Sequence, residues 1–263
     1  MRFDIMTLFP GAVDAMMQES ILGRAQKKGL IEIRSHQIRD FTTNRQNQVD
    51  DYPYGGGRGA ILQCDPLYNC WSAICDEVGA PVHTIFLSPC GTVFDQAKAR
   101  QLLGDYENII LVCGHEEGVD QRFIDECVDE EISVGDFVLT GGERPAMCIA
   151  DAVCRLVPGV LGDEVCFTDE SHWDGLLEYP QYSRPDEWHG LRVPEVLLSG
   201  NHALVDRWRK KQAILRTMRC RPDMFRALRF PYKTRAEKIF SAELEAEDEQ
   251  FRDRDPKNLD RST

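Results

Sequence analysis

The chain holds ten cysteines in 263 residues, yet none of them forms a C-x-x-C pair. Cys64, Cys70, Cys75, Cys113, Cys148 and Cys154 stand among apolar neighbours, which suits small core hydrophobes in a reducing compartment rather than a disulfide scaffold. The six histidines are scattered and none lies at ligand spacing from a cysteine pair, which argues against a zinc site. No apolar run approaches the roughly 20 residues that span a bilayer. Arg2 and Asp4 interrupt "MRFDIMTLF", so no signal peptide is read there. These absences describe a soluble, cytoplasmic protein, long enough for one large or two modest domains with a real core.

Positive charge is also scarce, with a net charge of −13. The exception is local. Between Asp206 and Lys238 stand twelve Lys and Arg residues, opposed by Asp206, Asp223 and Glu237. A basic segment in an acidic protein reads either as a solvated helix face or as a footprint for a polyanion. The tail beyond it, "SAELEAEDEQ", is acidic and reads as disordered.

Five stretches read as strands from their β-branched, apolar or alternating character: "FDIMTLF", "LIEIRSHQI", "VHTIFLS", "NIILVCG" and "EISVGDFVLT". Helical patterns lie between them. "GAVDAMMQESILGRAQKKG" ends on basic residues and Gly29, and "DPLYNCWSAICDEVG" and "FDQAKARQLLG" each begin near an Asp and close on Gly. Alternating strand and helix predicts an α/β fold with a mainly parallel sheet. From Gly162 to Pro194 no period is visible and the chain reads as linker and loop. "NHALVDRWRKKQAILRTM" then predicts a helix, with Ser199 or Asn201 as N-cap. "FTTNRQNQVDDYPYGGGRGAI" is a long polar, glycine-rich excursion, which reads as either a surface loop or a functional one.

Ligands of open parallel sheets bind beyond the carboxyl ends of the strands. Three predicted strand ends carry glycine or proline loops: "FLSPCG", "VCGHEEG" and "SVGDFVLTGG". None has the G-K-[ST] ending of a triphosphate loop, and none carries a basic residue apart from the titratable His115. Glu116, Glu117 and Asp136 would instead suit a cationic ligand, held largely by backbone.

Together with "LFPG", "DDYPYGGGRG", "RLVPGVLGDE", "YPQYSRP" and "VLLSGNHALVDRWR", these loops make the chain resemble the bacterial tRNA (guanine37-N1)-methyltransferase family of the SPOUT class, in one collinear register over about residues 1 to 225. The resemblance implies a deep trefoil knot in a donor-binding α/β domain over 1–161. It further implies a flexible linker over 162–175 and a helical tRNA-binding domain over 176–240, with the acidic tail of 241–263 outside the match. It implies a homodimer with sites at the interface, S-adenosylmethionine as methyl donor and transfer to N1 of guanine 37. It also implies Mg2+ as a helper, for which the sequence shows no ligand cluster of its own.

Carried over, the donor contacts are Leu87, Ser88, Pro89 and Gly91, then Gly114, Glu116 and Gly118. The last loop adds Ser133, Val134, Gly135, Asp136, Phe137, Val138, Leu139, Gly141 and Gly142. The expected RNA contacts are Asn201, His202, Arg207, Trp208 and Arg209. Methylating N1 requires removing its proton, for which a carboxylate is suited, while a cation near O6 would stabilise the charge that develops. The family's arginine matches Arg155 of "RLVPG". Its aspartate aligns with Glu170 of "FTDESHW", with Asp169 just before it. Either Glu170 acts with a side chain one methylene longer, or the loop shifts and Asp169 takes the role; position in the loop favours Glu170. A second departure is "GHEEG", where His115 and Glu116 replace the family's usual arginine and tyrosine. Two other functions stay open on the sequence: a related knotted methyltransferase acting elsewhere on RNA, and a catalytically weak RNA- or adenosyl-binding protein.

Overall fold

The computed structural model describes residues 1–162 and 170–228, together with Ala242, Leu244 and Ala246. The chain separates into two compact units, Met1–Glu164 and Val165–Thr263.

The first unit begins with β1 (Arg2–Thr7), α1 (Pro10–Met17), α2 (Ser20–Lys27) and β2 (Glu32–Gln37). A 3-10 turn at Ile38–Phe41 leads to the short strands β3 (Asp50–Asp51) and β4 (Ile61–Leu62), and then to α3 (Cys64–Val78). Next come β5 (His83–Val93), α4 (Gln96–Asp105), β6 (Asn108–Val112), α5 (Gln121–Cys127), β7 (Glu130–Ser133) and α6 (Glu143–Cys154). The five longer strands form one sheet in the order β2-β1-β6-β5-β7, with every pairing parallel. This is the expected α/β architecture with a mainly parallel sheet.

Side chains alternate across the sheet, so each strand feeds two cores. Met6, Phe86, Ile110 and Val112 pack with Leu67, Cys70 and Ile74 of α3 and with Phe123 of α5. The intervening Phe3, Ile5, Ile109 and Leu111 are fully buried as well. α1 and α4 both pack on α6, whose Ala146, Ile149, Ala150 and Val153 are inaccessible to solvent. Helices therefore cover both faces and leave the carboxyl ends of β5, β6 and β7 open for loops.

Several sequence expectations change in detail. The helix expected over residues 11–29 is two helices, and Gly29 stops the second with its N–H on the carbonyl of Gln26. α4 runs one residue past Gly104, to Asp105. The strand expected over 131–140 ends at Ser133, and the apolar residues after it form a loop. β5 is longer than expected: Leu87 and Thr92 both pair with Ile132, so Ser88–Gly91 bulge from the strand before pairing resumes. Cys148, expected in the core, is exposed on α6, while Cys70, Cys113 and Cys154 are buried as expected. Burial pushes the Cys70 and Cys154 thiols up to about 12, which leaves them inert.

The second unit contains a two-stranded antiparallel hairpin, β8 (Glu187–Trp188) and β9 (Leu191–Arg192), followed by α7 (Glu195–Leu198), α8 (His202–Cys220) and α9 (Pro222–Ala227). The expected N-cap of α8 is Asn201, whose Oδ1 accepts from the N–H of Leu204. Ile214 and Leu215 of α8 are buried with Leu244, against Leu176, Met218 and Phe225. Thr217 is inaccessible; its hydroxyl donates to the Ala213 carbonyl and accepts from the N–H of Leu177. Most of the acidic tail lies outside the described residues, as do Arg229, Lys233, Arg235 and Lys238 of the basic segment.

Candidate functional site

Three loops at the carboxyl ends of β5, β6 and β7 enclose a cavity of about 410 Å³. The first is the bulge of β5, where Ser88 Oγ accepts from the N–H of Cys90 at 3.1 Å. The second follows β6, whose continuation is tied to β1 by the N–H of Cys113 on the carbonyl of Met6. The third follows β7, where Ser133 Oγ donates to the carbonyl of Gly135 and accepts from its N–H. The loops approach one another too closely for side chains at two positions. A Cβ on Gly91 would lie 2.4 Å from the backbone of Glu131 and Ile132, and one on Gly142 would lie 2.7 Å from the Cα of Cys113. Glycine is therefore required by the packing itself.

Of the expected donor contacts, Leu87, Ser88, Pro89, Gly114, Glu116, Gly118, Ser133, Val134, Gly135, Phe137, Val138, Leu139, Gly141 and Gly142 all line this cavity. Gly91 and Asp136 do not: Gly91 serves the β5–β7 approach, and Asp136 is exposed beside the cavity. The lining also includes residues the sequence did not single out, notably Cys90, Gln121, Glu131, Thr140 and Pro145. Glu131 sits in the "DEEIS" run at the start of β7, where an acid reads as ordinary surface, so no sequence signal marked it. Among the described residues no Lys or Arg lines the cavity, whereas Glu116, Glu117 and Glu131 do. Such a surface repels phosphate and favours a cation.

The glycine-rich excursion before α3 is anchored to this site. Glu116 adopts a left-handed backbone (φ 50°), and its Oε2 accepts from the N–H of Ala60 at 2.8 Å. The N–H of Glu117 donates to the carbonyl of Ala60, and the N–H of Leu62 to that of Gly118. The carboxylate standing where the resembled family has a tyrosine thus fastens the long loop to the second cavity loop. Beside it lies a wider groove of about 1160 Å³, lined by Tyr52, Tyr54, Tyr68, Asp65 and Asp120 and sharing Gln121 with the cavity.

Arg155 is the C-cap of α6, with its backbone N–H on the carbonyl of Asp151. The residue is half-buried. Glu170 belongs to the second unit, is half-buried and accepts from the N–H of Trp173 through its backbone carbonyl. Asp169 lies outside the described residues. The expected RNA contacts lie together at the start of α8. Asn201 caps the helix and His202 opens it, both exposed. Trp208 packs 6.3 Å from Tyr182, and Arg209 lies 5.0 Å over the ring of Tyr179 and 3.6 Å from Asp206. Among the described residues no group of His, Cys, Asp and Glu could hold a metal ion, and no helix is long and apolar enough to cross a membrane.

Comparison with known proteins agrees with this geometry. Residues 1–227 match the family described as tRNA (Guanine-1)-methyltransferase TrmD. The chain is 50% identical over 228 residues to a tRNA (guanine-N(1)-)-methyltransferase of Ruminiclostridium cellulolyticum, covering 87% of this chain and 97% of that protein. It is 47% identical over 239 residues to the enzyme of that name from Staphylococcus carnosus, covering 91% and 96%, and 49% identical over 228 residues to that of Clostridioides difficile, covering 86% and 98%. The chain belongs to the tRNA (guanine-1)-methyltransferase family.

Proposed function

We propose that the protein methylates N1 of guanine at position 37 of tRNA, with S-adenosylmethionine as donor bound in the cavity formed by the three glycine loops. The observation that carries this reading is the lining: a backbone too close for a side chain at Gly142, three carboxylates and, among the described residues, no Lys or Arg. A cationic nucleoside fits such a surface, and a phosphate-rich cofactor does not. The donor supplies an electrophilic methyl group on its sulfonium. The loops hold it through Leu87–Pro89, Gly114–Gly118 and Ser133–Gly142 and exclude water from it.

The two remaining tasks fall to side chains. Glu170 takes the proton from N1 of the guanine, and the Arg155 guanidinium offsets the negative charge that grows toward O6. The exposed Tyr52, Tyr54 and Tyr68 beside the cavity offer faces for unpaired bases, and the basic side chains of α8 meet the phosphates. In this reading the crossing of the β5, β6 and β7 loops is the trefoil knot of the SPOUT class, and the working form is a homodimer with the sites at its interface. The second unit is then a helical tRNA-binding domain.

Transfer of labelled methyl from S-adenosylmethionine to unmodified tRNA with guanine at position 37, against the same tRNA with adenine there, tests the proposal. Label is expected only in the guanine tRNA. Equal labelling of both would assign the enzyme to another RNA position, and donor binding without transfer to either would make it a binding module.

A further inference from the structure

By composition the acidic tail is a solvated segment, yet one of its residues is among the most buried described in the second unit. Leu244 is 4% exposed and packs with Ile214 and Leu215 of α8, against Leu176, Met218 and Phe225. Ala242, Leu244 and Ala246 are all helical, and the two alanines are exposed. Positions two apart on a helix point about 200° away from each other, so Leu244 turns inward where Ala242 and Ala246 face water. The family match ends at residue 227, so this contact is made by sequence outside it.

What Leu244 brings with it is negative charge. Glu243, Glu245, Glu247, Asp248 and Glu249 stand within one short run that holds no Lys or Arg. What receives it is positive. α8 carries Arg207, Arg209, Lys210, Lys211, Arg216 and Arg219 against a single acid, Asp206. Lys211 stands one helical turn before Leu215 and Arg219 one turn after it, so two cations flank the seat of Leu244 along the helix. Consecutive Cα atoms are about 3.8 Å apart, which keeps a carboxylate next to Leu244 in sequence within reach of that face.

We infer that the tail is a built-in competitor of RNA: anchored by Leu244, its carboxylates occupy cations of α8 that would otherwise meet tRNA phosphates, and tRNA displaces them when it binds. This rests on the reading of α8 as a phosphate-contacting helix. A run of carboxylates presents the charge of a polyanion without its bases. Because the competition is electrostatic, it is strongest at low salt and acts on any RNA sequence alike.

Two variants of equal net charge test this by equilibrium binding of unmodified tRNA. One carries Glu243→Gln, Glu245→Gln and Glu247→Gln in the tail. The other carries Glu19→Gln, Asp105→Asn and Glu107→Gln, three exposed acids of the first unit. At low salt the tail variant is expected to bind tRNA about 3- to 100-fold more tightly than the unaltered chain, the product of three exposed ion pairs at about 1.4- to 5-fold each. The gain should fade between about 50 and 200 mM salt, and the first-unit variant should stay within about twofold of the unaltered chain. Cleavage of the unaltered tail by a glutamate-specific protease should quicken when tRNA is added, because the acidic run is released. Leu244→Ala should give that faster cleavage without tRNA, and a rate it leaves unchanged would remove the anchor. Equal gains in the two variants, no gain in the tail variant, or cleavage that tRNA does not quicken overturns the competition while the tRNA reading stands. If none of the three chains holds tRNA at low salt, the reading of α8 itself falls.

Discussion

In the first unit a five-stranded parallel sheet is covered by helices on both faces, and Phe3, Ile5, Leu67, Ile85, Ile109 and Leu111 are among its fully buried side chains. In the second unit the described buried apolar residues are Ala213, Ile214, Leu215 and Leu244, while Trp188, Leu191, Leu198 and Leu204 are all half or more exposed. Buried apolar area supplies most of the driving force for folding, and among the described residues the first unit buries far more of it than the second. The division suits the proposed work. A small donor needs its pocket in place before it arrives, whereas a long polyanion can order its own partner surface on binding.

The largest expected effect separates chemistry from binding across that division. Glu170→Gln should lower kcat for methyl transfer by about 100- to 10,000-fold, the usual contribution of a positioned general base, while donor affinity stays unchanged. Asp169→Asn, compared in single turnovers, should cost much less. If Glu170→Gln transfers methyl at full rate, the base lies elsewhere.

Next in size is a test of the second unit's core. Ile214→Ala removes a side chain that is 2% exposed and should destabilise the second unit by about 2–5 kcal/mol. Because Ile214 is one of the few buried apolar side chains described in that unit, tRNA affinity should collapse while S-adenosylhomocysteine binds as before. Equal loss of both affinities would show that the first unit does not stand by itself, and would break the comparison.

A smaller effect concerns the basic helix. If Arg209 meets a phosphate, Arg209→Ala should weaken tRNA binding uniformly across sequences and reduce the slope of log affinity against log salt by about 1. An unchanged slope would confine Arg209 to its contacts with Tyr179 and Asp206, the solvated-helix reading of the basic segment.

The two units were also unequally legible in the sequence. The five strands of the sheet announced themselves because parallel strands buried on both faces are nearly continuous apolar runs, and the same residues serve both propensity and packing. That signal failed beyond Ser133, where Val134, Phe137, Val138 and Leu139 continue the apolar pattern but line a cavity instead of pairing. Pocket walls and strands use the same residues, and only the chain's path distinguishes them. The three glycine loops were readable because close backbone approach leaves glycine no substitute. In the second unit Asn201 was visible as a cap and α8 as a helix.

The smallest expected effect is on the first unit's acid stability, and it concerns Asp4, a carboxylate inaccessible to solvent within β1. His36 Nε2 lies 2.7 Å from its Oδ1, and Arg2 grips both of its oxygens at 2.8 and 2.9 Å. Burial pushes the Asp4 carboxyl up, but the hydrogen bonds from His36 and Arg2 together outweigh that and hold it below the usual carboxylate range. A carboxyl depressed in the folded state stabilises fully above its unfolded value, near pH 4, and loses that contribution as the pH falls toward its folded value. Between pH 7 and 5 this group should therefore leave the melting temperature of the first unit unchanged. Below about pH 4 it should cost stability by no more than about 1.4 kcal/mol per pH unit, the limit for one extra proton bound on unfolding. Asp4→Asn should lower stability at pH 7 and flatten the acid limb. In the second unit Asp223, held down to about 2 by Arg221, is exposed, and its pairing is open to screening by salt. Acid melts at low and high salt thus sharpen the comparison: the Asp4 limb should persist in salt, and a limb that vanishes there would belong to surface pairs rather than to the buried carboxylate.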